Sequence, residues 1–351
     1  MRRTYRVIMA AVPVLLVAAD VVHWRIASER LRGGLQDWIE ARRAEGWDIE
    51  AGPIALGGWP RAATVTVADL HVRHSGNDIP GVVDWLSPGT TLSVSLYLPT
   101  ELNLSFSGPQ HVRIGAAPDT VITGEAMTAV VQLGPDAPQA FDLHANGVRV
   151  QPATDPWHVA IGRLDAHAGV SAGNGNGSDA DQTRQSVAFA VSTEAITLPA
   201  GFKWPLGPNI SSLSAEGTLN GPFPPIGDVT TRAQAWRDGG GSVEIAHLAM
   251  GWGPLGLTSS ATLALDDQLQ PMGSGSGRLV GYAETLDRLA AGGILTKSAA
   301  TAAKAVLSLM AGTGDGDVPS EVDVPLTLQY RTLSMRQVPL ARLPELDWPA
   351  R

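Results

Sequence analysis

Glu321-Val-Asp-Val-Pro-Leu-Thr-Leu-Gln-Tyr-Arg331 sets Val322, Val324, Leu326, Leu328 and Tyr330 against Glu321, Asp323, Thr327, Gln329 and Arg331. Side chains alternate across an extended chain, so this stretch predicts a strand with one dry and one wet face, as in an antiparallel sheet covered on a single side. The same period of two recurs upstream. Val65 and Val67, then Leu70 and Val72, alternate with small or polar neighbours, and the change of parity at Ala68-Asp69 predicts a β-bulge. Leu92, Val94, Leu96 and Leu98 lead through Pro99-Thr100 to Leu102, Leu104 and Phe106, which predicts a hairpin. Further strands are expected over 127–133, 141–150, 158–166, 187–198, 213–219, 243–250 and 255–265. The fold class that follows is mainly β with a few helices, a β-rich α+β chain built on antiparallel curved sheets.

The amino terminus is different. Arg2, Arg3 and Arg6 precede an apolar run from Val7 to Val22 that only Pro13 and Asp20 interrupt. With Tyr5 and Trp24 as interfacial aromatics, about 20 residues are available, enough for a transmembrane helix. Residues 1–25 are therefore expected to be a signal anchor in the inner membrane through residues 7–24, single-pass, with the bulk of the chain in the periplasm. Val17-Ala18-Ala19 ahead of Asp20 leaves a cleaved signal peptide as the alternative. A juxtamembrane amphipathic helix over 26–46 follows, with Leu31, Leu35, Trp38 and Ile39 on one stripe and Gly46 as its stop.

Composition limits the partners. A net charge of −9 with no basic block beyond the anchor flanks speaks against nucleic acid. The absence of cysteine excludes disulfides, thiolate metal sites and a cysteine nucleophile. A hydrophobic share of 44% against 17% charged residues fits a packed body rather than a disordered one.

Two helices are expected late in the chain, near 282–310. Tyr282, Leu286 and Leu289 share one face of the first; Ala299, Ala302, Ala303, Val306 and Met310 share one face of the second, over 294–310. Trp-Pro at Trp59-Pro60, Trp204-Pro205 and Trp348-Pro349 recurs at nearly equal intervals, which suggests a first β-rich half over 47–205 and a second over 206–351.

The search for chemistry returns no site. Gly273-Ser-Gly-Ser-Gly277 puts glycine where a nucleophile elbow needs serine and lacks the third glycine of a dinucleotide loop, so it reads as a linker or bulge. His71 and His74 are three apart on a strand and point to opposite faces. Asp165 and His167 share a face but lack further metal ligands. Gly173–Asp181, and Asp315-Gly-Asp317 with Glu321, lack calcium-site spacing and read as loops. No catalytic, cofactor or metal residue is assigned.

Several segments match a known family in order along the chain: Gly57-Gly58-Trp59-Pro60, Trp236-Arg-Asp-Gly-Gly-Gly-Ser-Val243, Gly251-Trp-Gly-Pro-Leu255 and Val338-Pro-Leu-Ala-Arg-Leu-Pro-Glu-Leu346. Together with the amino-terminal segment they resemble the proteobacterial domain of unknown function 2125 family. That resemblance implies no catalytic residue. Its layout is similar to that of AsmA-like envelope proteins, which implies a role near lipid or in envelope assembly. The expectation is a membrane-anchored periplasmic β-sheet protein that binds lipid or another apolar ligand along its sheet. A structural protein that binds envelope proteins is the alternative, and an enzyme, a hydrolase using His and Asp, the least favoured.

Overall fold

The computed structural model describes residues 2–76, 81–115, 117–135, 137–171, 185–223, 227–311, 321–335 and 338–348; for 2–15, 171, 185, 310, 311 and 338–340 it describes the backbone alone. Residues 77–80, which follow β3, and the expected loops over 173–181 and 315–317 lie outside these. The helix α1 (Arg2–Ala44) is followed by β1 (Asp48–Glu50), β2 (Ile54–Gly57), β3 (Ala62–His74), β4 (Val83–Ser95), β5 (Glu101–Ser107), β6 (Gln110–Ile114), β7 (Thr120–Thr123), β8 (Ala126–Leu133) and β9 (Pro138–Pro152). Then come β10 (Val159–Ser171), β11 (Gln185–Thr197), β12 (Asn209–Gly221), α2 (Val229–Asp238), β13 (Ser242–Trp252), β14 (Leu255–Leu265) and β15 (Pro271–Val280). The chain closes with α3 (Tyr282–Ala291), α4 (Lys297–Ala311), β16 (Val322–Gln329), β17 (Thr332–Met335) and β18 (Val338–Arg342).

These strands form one antiparallel ladder. From β9 to β18 each strand pairs with the next in sequence. Before β9 the ladder is built from half-length pieces: β1 and β2 share one edge of β3, β5 and β6 share one edge of β4, and β7 and β8 share one edge of β9. The sheet passes through residue 205 without a break, because β11 and β12 lie side by side across the loop 198–208.

Several expectations are corrected. The change of parity at Ala68-Asp69 is not a bulge, since the register of β3 on β4 is unbroken from Ala62↔Ser95 to His74↔Val83. Both strands switch faces together, Asp69 taking a left-handed φ of 47° opposite Pro88-Gly89. Tyr330 and Arg331 do not extend the last long strand. With φ of 51° and 62° they form the turn between β16 and β17, so the expected strand over 321–333 is a hairpin. Gly273–Gly277 is no linker but the middle of β15, paired on both sides. The helix α2 was not expected. None of its side chains is buried, so it carries no apolar stripe to read, and its one local sign is Asp228, whose carboxylate accepts from Thr231 N–H.

Residues 2–25 and 26–44, assigned to two elements in the sequence reading, fall in one helix of 43 residues. Its far end is a Schellman cap, with Gly46 N–H on Arg43 O at 3.0 Å and Trp47 N–H on Arg42 O at 3.0 Å, Gly46 supplying a φ of 91°. Leu35 and Ile39 pack on Ile49, Val65, Val67, Leu70, Val72 and Leu92, while Trp38 stays outside. Among the described residues no helix is long and apolar enough to cross a membrane. The side chains of 7–15 lie outside them, and Asp20, His23 and Arg25 interrupt the apolar pattern of the part that is described, so the span expected at 7–24 is not shown.

Candidate functional site

Cross-strand pairing puts the apolar residues of every strand on one face. Starting at Val65, the row runs through Leu92, Leu104, Ala129, Leu143, Ala166, Val191, Ala215 and Leu248, each opposite the last. On the far side Leu257 and Leu279 lead to Val322. The opposite face carries Thr66, Thr91, Asp142, His144, Asp165, His167, Ser192, Ser214, Arg278 and Asp323 in the same rows.

Among the described residues, that apolar face is covered at its two ends and left partly open between them. Under α1, Val65 and Val67 are 0% exposed; under α3 and α4, Val322 is 0% exposed, packed with Tyr282 and Leu307. Between these ends the same row is left half-buried or open: Val191 is 40% exposed, Leu213 38% and Phe141 41%. Buried there are Ala129 and a local cluster of Met127, Ala145 and Val148, with Ile122, Ile161 and Leu164 against it, and farther along β11 Thr193 and Ile196. A hollow of about 280 Å³ lies on this uncovered part, lined by Val131, Phe141, Ala168, Val170 and Val187. The arrangement removes water from apolar surface only if something else lies on it. At about 25 cal/mol per Å² that is a standing driving force for an apolar ligand.

The late helices α3 and α4 pack on β15 and β16 over the dry face. The second does so with a different stripe. Ala300 and Leu307 are buried, whereas Val306 of the expected stripe is exposed, because the helix is turned by the partners α3 and β16 offer. Thr296 caps this helix, its hydroxyl accepting from Ala299 N–H at 3.1 Å.

Among the described residues four histidines, His71, His111, His144 and His167, lie against an aspartate. His71 and His74 do separate: His71 Nε2 lies 2.7 Å from Asp84 on the wet face, while His74 is buried and stacked on Trp47 at 4.4 Å. Asp165 and His167 do share a face, and each meets a residue of β9: His144 Nδ1 lies 2.7 Å from Asp165, and His167 Nδ1 lies 2.7 Å from Asp142. The sequence held a sign of this that the expectation did not use, the repeated Asp-x-His of Asp142–His144 and Asp165–His167, which antiparallel pairing crosses into two complementary rungs. A hydrogen bond from Arg163 and then one from His144 hold the Asp165 carboxyl below the ordinary carboxylate range. Burial pushes Asp84 up, but hydrogen bonds from His71 and Arg113 outweigh it and its carboxyl is also held low. Among the described residues no group of three or more His, Asp or Glu is placed to hold a metal ion. These carboxylates are already hydrogen-bonded, Asp84 by His71 and Arg113, Asp142 by His167, and Asp165 by His144 and Arg163, and such polar pairs stabilise a wet face.

The family model described as "Uncharacterized protein conserved in bacteria (DUF2125)" matches residues 24–344. The chain belongs to the DUF2125 family. The match includes all eighteen strands of this DUF2125 chain and begins at Trp24, where α1 first meets the sheet. No curated protein and no solved structure matches it.

Proposed function

We propose that this DUF2125 chain is a membrane-associated protein of the bacterial envelope that holds an acyl chain, or a comparably apolar ligand, on the uncovered middle of its sheet. In this reading the amino-terminal part of α1 attaches the protein to the inner membrane and the sheet stands in the periplasm. The observation that carries it is the exposure of Val191, Leu213 and Phe141 on a face that is otherwise dry from Val65 to Val322. Each CH₂ laid on that face contributes roughly 0.8 kcal/mol, so a long acyl chain would stay bound through gentle purification. No catalytic role is part of this reading.

The test is mass spectrometry of lipid extracted from the purified full chain, beside a Val191→Asp/Leu213→Asp variant. Both replaced side chains are exposed, so the variant keeps its fold. Stoichiometric lipid on the parent and a large loss on the variant is the expected result. No lipid on the parent, with protein recovered in its place, would favour an assembly role in which another protein covers the same face.

A further inference from the structure

The helix α1 leaves the sheet at one particular end. Ile39 packs near β1, where β3 finishes, while Trp24 Nε1–H donates to Gly57 O at 2.9 Å and His23 Nε2 lies 3.3 Å from Leu96 O, both where β3 begins and β4 finishes. Residues 2–22 therefore continue past that end, about 30 Å of helix at 1.5 Å per residue. The side chains of Leu16, Val17, Val21 and Val22 are exposed.

Around the exit point the turns of the sheet present large apolar groups to solvent. Trp59, in the turn between β2 and β3, is 47% exposed; Tyr97 and Leu98, between β4 and β5, are each 72% exposed. Ser95 fixes that second turn, its hydroxyl accepting from Tyr97 N–H and Leu98 N–H at 3.3 Å each, which leaves both side chains aimed outward. The hollow lined by Phe141 and Val170 opens at this same end, beside the turn between β8 and β9. A second aromatic row, Trp157, Phe202, Trp204 and Trp252, lies at the opposite end. It is tied inward, Trp204 Nε1–H donating to Pro199 O and Trp252 Nε1–H to Gly207 O, and so it staples the loop 198–208.

The geometry points to the end carrying Trp59, Tyr97 and Leu98 as a surface that rests on a lipid bilayer, the three side chains entering the interfacial layer beside α1. Trp and Tyr favour that layer because one part of each ring is apolar and one part is wet. Docked this way, the long strands stand away from the membrane and the uncovered apolar face opens toward it at the Phe141–Val170 hollow. The docking rests on the membrane attachment in the function proposed above, and the direction of opening on its apolar groove.

The chain lacks cysteine, so single labels are unambiguous. Leu98→Cys and, as the opposite-end control, Phe202→Cys in the full chain would each carry an environment-sensitive fluorophore. They would be added to phosphatidylcholine–phosphatidylglycerol vesicles containing nitroxide-labelled lipid. The expected result is a blue shift and several-fold stronger quenching at position 98 than at 202, weakened by Trp59→Ser and Tyr97→Ser in the same chain. Equal quenching, stronger quenching at 202, or a position-98 label that stays in water on bound protein would overturn the proposal, as would no vesicle binding. Quenching at 98 by a chain that retains no lipid would uphold the docking surface and remove the groove reading instead. Retained lipid with position 98 in water would do the reverse.

Discussion

Replacing Leu328 by Asp puts a carboxylate at a buried position of β16 with no cation opposite it, whereas the same change at Gln329 adds a charge to the exposed face. Burying an unpaired charge costs several kcal/mol and an exposed one costs under about 1. Melting of the two variants should differ by many degrees, and equal shifts would show that the faces of β16 are assigned wrongly. At Asp84 the sign follows from its depressed titration. Such a group contributes stability that is present above the unfolded carboxylate value and lost as pH falls through the lower folded one. Asp84→Asn should therefore cost about 1 kcal/mol or less at pH 7, the partial exposure of the pair limiting it. The gap between variant and parent should shrink and close as pH falls below the ordinary carboxylate range, and a gap that persists in acid would mean the side chain acts through shape and not charge. Ser28, a residue of α1, is fully buried and its hydroxyl has no partner among the described residues. Ser28→Ala should leave thermal stability unchanged or raise it by up to about 1 kcal/mol, and a clear loss would reveal a hidden hydrogen bond.

Elements were legible where apolar residues kept a period of two. The strand over Leu255–Leu265 was readable to the residue, and β8 through β13 were placed within a few residues, because each carries its own dry row. What escaped had no such row. In β15 the apolar-face positions are Gly273, Gly275 and Gly277, so the pattern vanishes although the strand is central. The backbone explains the identity of Gly275, where a Cβ would sit 2.3 Å from Ser260 O, whereas one on Gly277 would come no closer than 3.4 Å, to the Leu326 side chain. Gly275→Ala should thus destabilise by about 1–3 kcal/mol through overpacking, and Gly277→Ala by less than about 1. Denaturant midpoints would decide it, and equal effects would mean that β14 and β15 are not as close as described. The half-length strands β6 and β7 were missed for another reason. They are too short to show a period, and only their partners β4 and β9 make them strands. Of the site, the dry face was legible but its cover was not, since which residues α1 and α4 bury depends on partners distant in sequence.

At the scale of the molecule, the separate packed clusters lie on one face of a single ladder, and that sets this sheet apart from a closed sandwich. A sandwich buries its inner rows from end to end; here the rows are buried under α1 and under α3–α4 and relax to partial exposure between. Under the proposed function, acyl chains occupy this gap. A photoreactive diazirine side chain at Val191 or at Ser192 reports what lies there, because the two positions are adjacent in β11 and point to opposite faces. Illumination in cells should cross-link lipid at 191 and not at 192. Cross-links to protein at 191, or equal lipid labelling at both positions, would contradict it.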